Sequence, residues 1–383
     1  MDRLQIAFFG ATNSGKSTLV NALAGQEVSL VSELPGTTTD PVRKAIELPG
    51  MGPCVLVDTA GFGDAGALGA ERERRSRAVI DSTDIAVLLR SGHPEDDHWA
   101  QMLRTAQVPV VEVQGHRENG PALPDLKSTP IPDLSPFIPD LSPLIPDLIR
   151  NLQAAQPADK QRLLTGGLVG KDDIVVLVMP QDSEAPKGRL ILPQVQVLRE
   201  LLDLGCIPVC CQPEGLQRAL DGLSGRPTLT ITDSQAFAKV DAILPKDYPL
   251  TSFSILLAGA KGDIHAFVDG AKAIDSLQPG DRVLIAEACT HVPDTEDIGR
   301  VKIPNLLKKK IGGDLKIEVA AGNDFPDDLT PYRLIIQCGG CVATERLLRS
   351  RIRKAFLAGV PITNYGIALA SLTGILDRVV IPA

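Results

Sequence analysis

The chain has 383 residues, 44% hydrophobic and 22% charged, enough apolar material for two or three domains with their own cores. A formal net charge of -8 gives no electrostatic case for nucleic acid as a main partner, and no apolar run reaches the roughly 18 residues of a membrane span. The first residues run straight into a strand pattern rather than a signal segment, so the expectation is a cytoplasmic protein with no membrane attachment, whose seven cysteines serve as thiols or metal ligands rather than disulfides.

Residues 4–9 read as a buried strand and 18–24 as a helix, and between them lies Gly10-Ala11-Thr12-Asn13-Ser14-Gly15-Lys16-Ser17, a complete G-x-x-x-x-G-K-S phosphate loop. In that order the loop amides cradle phosphates at a helix N-terminus, Lys16 reaches the β and γ phosphates, and Ser17 binds magnesium. Pro35-Gly36-Thr37-Thr38-Thr39-Asp40 reads as a first switch, with Thr38 completing the magnesium shell. The strand 55–58 ends in Asp58-Thr59-Ala60-Gly61, a second switch that places Asp58 near the magnesium and the Gly61 N–H toward the γ-phosphate. The expected nucleotide-binding set is Gly10, Asn13, Ser14, Gly15, Lys16, Ser17, Thr18, Thr37, Thr38 and Asp58, with Lys16, Asn13, Thr38, Asp58 and Gly61 carrying hydrolysis.

These motifs resemble the GTPases of the TrmE and Era type. The resemblance implies that Asn13 binds a potassium ion, and Phe62 stands after Gly61 where Ras-like enzymes carry a water-orienting glutamine, so weak, cation-dependent GTP hydrolysis is expected. After the strand 108–113 the guanine motif Asn-Lys-x-Asp is replaced by Gln114-Gly115-His116-Arg117-Glu118, leaving Gln114 or Glu118 as candidate substitutes. A proline-rich tract over 119–149, with Ile-Pro-Asp-Leu recurring from Ile131, Ile138 and Ile145, reads as an extended insertion, followed by a helix over 147–164 and a boundary at Gly166-Gly167.

A second α/β unit follows, with strands at 174–179, 207–211 and 228–232 and helices at 192–204 and 213–223. No catalytic constellation stands out in it, its job reads as packing within or between chains, and Pro186 to Pro193 reads as a solvated turn. Cys54, Cys206, Cys210 and Cys211 lie in apolar runs and read as small core residues. A third unit from about 253 has helices over 266–277 and 304–311, the latter ending in Lys308-Lys309-Lys310 before two glycines, and an arginine-rich helix over 344–358. Arg346, Arg349, Arg351 and Arg353 read as a solvating face or a docking surface for an anionic partner.

The apolar runs 283–286 and 334–336 each end in cysteines: Ala288-Cys289-Thr290-His291 after the first and Cys338-Gly339-Gly340-Cys341 after the second. Both groups belong at the C-terminal ends of parallel strands, where two loops share one ligand. Cys289, His291, Cys338 and Cys341 form a candidate metal site, and three sulfurs with one nitrogen suit zinc as well as an iron-sulfur cluster with one open iron.

Glu184 to Gln194, Asp297 to Pro304, Pro361 to Gly366 and the motifs above together resemble the HydF family of FeFe-hydrogenase maturation GTPases over nearly the whole chain. The resemblance implies an α/β protein of three domains: a P-loop GTPase fold over 1–165, then two smaller parallel-sheet units, a dimerisation domain over 166–252 and a cluster-binding domain over 253–383. It implies GTP, Mg2+, K+ and a 4Fe-4S cluster on Cys289, Cys338 and Cys341 with His291 beside them, and a homodimer or tetramer. The implied role is a scaffold that receives a diiron precursor made with two radical-SAM maturases and delivers it to apo FeFe-hydrogenase, nucleotide state acting as a switch. Gln337 departs from the family, which places histidine directly before C-x-x-C, and glutamine is a poor iron ligand. The other readings are a TrmE/Era-like GTPase acting on RNA and a zinc-stabilised nucleotide-binding interaction module.

Overall fold

A computed structural model describes residues 3–25, 41–63, 67–115, 144–157, 162–181, 190–288, 297–322 and 324–382. The chain divides into two compact units, residues 1–160 and 161–383.

The first unit is built on β1 (Leu4–Gly10), α1 (Lys16–Ala24), β2 (Val42–Leu48), β3 (Gly52–Asp58), α2 (Ala67–Ile80), β4 (Ile85–Arg90), α3 (Asp96–Thr105), β5 (Val110–Gln114) and α4 (Ile145–Ala155). Its sheet has the order β2-β3-β1-β4-β5, antiparallel only between β2 and β3. Alternation along β1 sorts the core: Ile6 and Phe8 face α1 and α4 through Leu19, Val20, Leu148 and Leu152, while Ala7 and Phe9 face α2 and α3 through Val79, Trp99 and Leu103. This central strand, buried on both sides, delivers its C-terminal end to the phosphate loop.

Helix α4 corrects two expectations. The third Ile-Pro-Asp-Leu segment is not part of an extended insertion; it starts the helix, because Pro146 sits at its N-terminal turn, where a fixed φ suits a helix and no N–H is missed. Leu148 and Leu152 are buried, with Ile145 and Ile149 packed against the same core, which is one helical face. The helix ends at Ala155, well short of 164. Residues 119–143 of the proline-rich tract, the first switch and residues 186–189 of the expected solvated turn lie outside the described residues, while Leu192 and Pro193 at the end of that turn already begin a helix.

The second unit holds two parallel sheets. One comprises β6 (Ile174–Val178), α5 (Leu192–Asp203), β7 (Ile207–Cys211), α6 (Leu216–Asp221), β8 (Leu229–Thr232), α7 (Phe237–Ile243), β9 (Leu250–Ser252) and α8 (Phe253–Lys261). The other, after α9 (Ile264–Ala271), comprises β10 (Arg282–Ala286), α10 (Ile303–Ile311), β11 (Lys316–Ala320), β12 (Leu334–Gln337), α11 (Glu345–Leu357), β13 (Ile362–Asn364) and α12 (Tyr365–Leu372). Their orders, β7-β6-β8-β9 and β11-β10-β12-β13, are the same doubly wound order met twice. Each ends in a strand whose last residue caps a following helix: the Ser252 hydroxyl accepts from Ile255 N–H and the Asn364 carbonyl from Ile367 N–H.

The α/β class with three such sheets agrees with the sequence expectation. The two later sheets share one apolar cluster, in which Val176, Val178 and Phe237 join Ile285 and Ile336. Val380 also donates its N–H to Leu250 O, tying the final residues to the edge of the earlier sheet.

Cys54 and Cys206 are buried, as expected, but Cys210 is exposed and Cys211 half-buried. The reason is topological: β7 is an edge strand, so the outer side of Cys210 has no neighbouring strand. Among the described residues no helix is long and apolar enough to cross a membrane.

Candidate functional site

Two sites emerge. The first forms where β1 meets α1. Lys16, nearly buried, folds its ammonium onto the loop's own carbonyls, donating to Gly10 O at 3.0 Å and Ala11 O at 2.8 Å. Ser17 Oγ donates to Asp58 Oδ2 at 2.6 Å, so the hydroxyl and carboxylate expected to share a magnesium are already together. Asn13 is exposed with φ of 62°, a left-handed geometry that asparagine tolerates. Ser14 is buried in the loop, Gly15 is the N-cap of α1, and Thr18 lies in its first turn.

The second switch lies directly on this loop. Phe62 N–H donates to Gly10 O at 3.3 Å, and Thr12 N–H donates to Phe62 O at 3.0 Å. At Gly61 a Cβ would lie 2.5 Å from Thr12 Cα, so only glycine admits this approach. The Phe62 ring stacks on Trp99 with centroids 5.1 Å apart, and Trp99 stacks on Phe9 at 5.7 Å, tying the switch to α3 and β1. Thr37 and Thr38 lie outside the described residues, as do His116, Arg117 and Glu118. Gln114 turns back on the sheet, its side-chain amide donating to Arg90 O at 3.0 Å.

The second site lies at the switch point of the last sheet, between β10 and β12, where strand order reverses, beyond the carboxyl ends of the strands. Cys338 follows β12 there, and its sulfur accepts the Ala288 N–H at 3.1 Å and the Gln337 side-chain N–H at 3.3 Å. Gly340, at φ of 63°, makes the turn that carries the chain on to Cys341 and brings its own N–H to Cys338. Burial pushes the Cys338 thiol up, while the Gly340 and Ala288 N–H groups and the nearby Arg351 charge work against that rise.

The loop is clamped from below. Lys261, buried at the end of α8, donates to Gly340 O and Cys341 O at 3.2 Å and to Ala343 O at 2.9 Å. Around it lie Glu287, 2% exposed and paired with Arg300 at 2.9 Å, and Tyr365, whose phenol burial pushes up. Tyr365 Oη and Ser254 Oγ are buried with no hydrogen-bond partner among the described residues.

Of the expected ligands, Cys338 and Cys341 share this loop, whereas Cys289 and His291 lie outside the described residues. A cysteine sulfur that accepts N–H donors beside a buried cation, as Cys338 does, suits an anionic metal-sulfur group, which gains stability from hydrogen bonds to sulfur. Cys338 and Cys341 supply two sulfurs of the kind that an iron-sulfur cluster or, by softness alone, zinc would take, and among the described residues no three His, Cys, Asp or Glu side chains come together as a metal site.

Sequence reasoning missed Lys261 and misjudged Arg351. Arg351 is 1% exposed, not part of a solvated face. Its nitrogens donate to Glu287 O and Gly322 O, and it shares the buried face of α11 with Leu348 and Ala355 at helical spacing. That spacing was a usable signal. Lys261 gave none beyond being a single charge at the end of an apolar helix. Arg349 and Arg353 are exposed, and Arg349 pairs with Glu345 along the helix at 2.6 Å.

Residues 265–382 match the hydrogen maturase F tetramerization domain, residues 164–262 the hydrogen maturase F dimerization domain, and residues 5–114 a 50S ribosome-binding GTPase domain. Among curated proteins, the tRNA modification GTPase MnmE of Nitrosomonas eutropha (strain DSM 101675 / C91 / Nm57) is 36% identical over 114 residues, 29% of this chain and 25% of that protein. MnmE of Acidiphilium cryptum (strain JF-5) is 40% identical over 122 residues, 32% of this chain and 27% of that protein. The chain thus spans about a quarter of the length of these relatives. A crystal structure of Era in complex with MgGDPNP and 16S ribosomal RNA nucleotides covers 55% of this chain and 92% of its own, at 18% identity and a TM-score of 0.31.

Proposed function

We propose, from the membership of this chain in the hydrogen maturase F family, that it is a GTP-binding iron-sulfur scaffold that assembles a diiron precursor and delivers it to apo FeFe-hydrogenase. The observation that carries this reading is the Cys338 loop: a half-buried cysteine whose sulfur accepts two N–H groups, at a sheet switch point, within the stretch matched to the tetramerization domain. Cys338, Cys341 and Cys289 would hold a 4Fe-4S cluster, with His291 next to it. Such a cluster, when bound, supplies an iron able to take an exchangeable ligand and so to dock a second metal unit.

The first unit reads as the switch. Lys16 and the loop amides hold the GTP phosphates, Ser17, Thr38 and Asp58 hold magnesium, and Asn13 holds potassium. With Phe62 after Gly61 and no glutamine, hydrolysis is slow and cation-dependent, and it serves to change state rather than to drive chemistry. The two radical-SAM maturases and the hydrogenase are the partners this role requires. Dimerisation and tetramerisation fall to residues 164–262 and 265–382, and the compartment this chemistry suits is the cytoplasm.

Anaerobic iron and sulfide analysis, with EPR of the reduced protein, tests the reading. The expected result is about four irons per chain in a reducible cluster, lost in Cys338→Ser. Stoichiometric zinc with no cluster signal after reconstitution would overturn it and leave a zinc-stabilised module.

A further inference from the structure

This inference rests on the cluster reading above and deepens it. Gln337 ends β12 and is 1% exposed, so its amide must find partners inside the protein. An amide has one accepting end and one donating end. Here the oxygen accepts from Arg351 Nη1 at 2.9 Å, and the nitrogen therefore faces the other way, 3.3 Å from Cys338 Sγ. Because a guanidinium only donates, reversing the amide would set donor against donor.

Arg351 is itself fixed. Both terminal nitrogens lie 3.2 Å from Glu287 O, one donates to Gly322 O at 2.6 Å, and the guanidinium sits 4.9 Å from the centre of the Phe325 ring. These partners come from the ends of β10 and β11 and from the loop before β12, so the strand ends at the switch point also set the guanidinium's plane. A chain of fixed contacts thus runs from the strand ends through Arg351 and Gln337 to one sulfur.

We propose that Arg351 and Gln337 are positioning residues that aim an N–H at the Cys338 sulfur and so set the reduction potential of the cluster held there. One-electron reduction adds negative charge to the cluster and its sulfurs, with no bond made or broken. An N–H already aimed at a sulfur is favoured by that added charge, and the buried guanidinium behind it adds to the effect, so both hold the potential up. Gln337 is then a hydrogen-bond donor to a ligand and not itself a ligand, since Arg351 occupies its oxygen and its amide nitrogen has no available lone pair.

The test is a dithionite titration, followed by EPR, of the full chain after anaerobic reconstitution with iron and sulfide. Gln337→Leu removes the donor while keeping the volume. Its potential is expected to fall by about 59 mV, a tenfold shift of a one-electron equilibrium, at unchanged iron content. Arg351→Met frees the amide, so its potential is expected to fall too, and adding Gln337→Leu to it should have less effect than Gln337→Leu alone. That non-additivity would not arise from loss of packing alone. Gln337→Met reads the same loss should the leucine variant not fold, and Gln337→Asn, which keeps an amide one methylene short of the sulfur, is expected to fall between.

A wild-type cluster whose potential is unmoved in Gln337→Leu and Gln337→Met overturns the inference and leaves the scaffold reading intact. Additive effects of the Gln337 and Arg351 changes overturn the relay. A wild-type protein that takes up no cluster overturns the scaffold reading, and this inference with it.

Discussion

At Gly61 two backbones touch. The methyl that alanine would add meets Thr12 at 2.5 Å, so the second switch can close on the phosphate loop only because that position is bare. The same approach lets Phe62 exchange hydrogen bonds with Gly10 and Thr12. Gly61→Ala is therefore expected to slow single-turnover GTP hydrolysis at least about tenfold, since the proposed γ-phosphate contact is made by this backbone, and to leave GDP affinity within about threefold. Hydrolysis within twofold of wild type would mean that this contact is not part of the working site. Single positions also mark what a sequence can and cannot show. Lys16 and Ser17 were legible because a contiguous motif dictates its own backbone. The burial of Arg351 was legible from its helical spacing, but its partners were not, because the groups that accept its protons, such as Glu287 O and Gly322 O, are 64 and 29 residues away and the fold alone brings them together.

Elements owe their places to the same close approaches. Helix α9 lies against β13 so tightly that a Cβ at Gly270 would be 1.9 Å from Ile362 O, a contact no rotamer can relieve. Gly270→Ala should cost roughly 1–3 kcal/mol in urea denaturation, despite alanine's better helix propensity, because overpacking against a backbone outweighs the gain of about 1 kcal/mol from that propensity. Gly225→Ala is the control: nothing lies within 4 Å of its added methyl, and stability should change by less than about 0.5 kcal/mol. Equal effects in the two variants would show that α9 yields more than this packing allows. Element types were mostly legible because apolar runs of strand length alternate with helical periodicity through the later two sheets. Boundaries were less so. The helix expected from Asp147 in fact starts at Ile145, because prolines that read as breakers in a repeat hid its first turn, although Pro146 there favours the helix that Leu148 and Leu152 bury.

At the scale of the whole chain, cores decide what unfolds together. The first unit has its own clusters on the two faces of its sheet, built from Ile6, Phe8, Ala7 and Phe9 with the helices around them. The two later sheets do not separate in this way, since Val176 and Phe237 belong to the same cluster as Ile285 and Ile336, and the edge strand of one is bonded to the residues that follow α12. Two calorimetric transitions are therefore expected, not three, and a nucleotide that binds only the folded first unit should move only one of them. At a hundredfold excess over its dissociation constant, Mg-GDP adds about 2.7 kcal/mol to that unit, which raises its midpoint by roughly 5–10 °C for a unit of this size. The other transition should stay within a degree and respond instead to loading of the cysteine site. Equal movement of both transitions with nucleotide would show that the phosphate loop and the cysteine site are coupled in the ground state. A third transition would show that the cluster common to the later sheets does not hold them together.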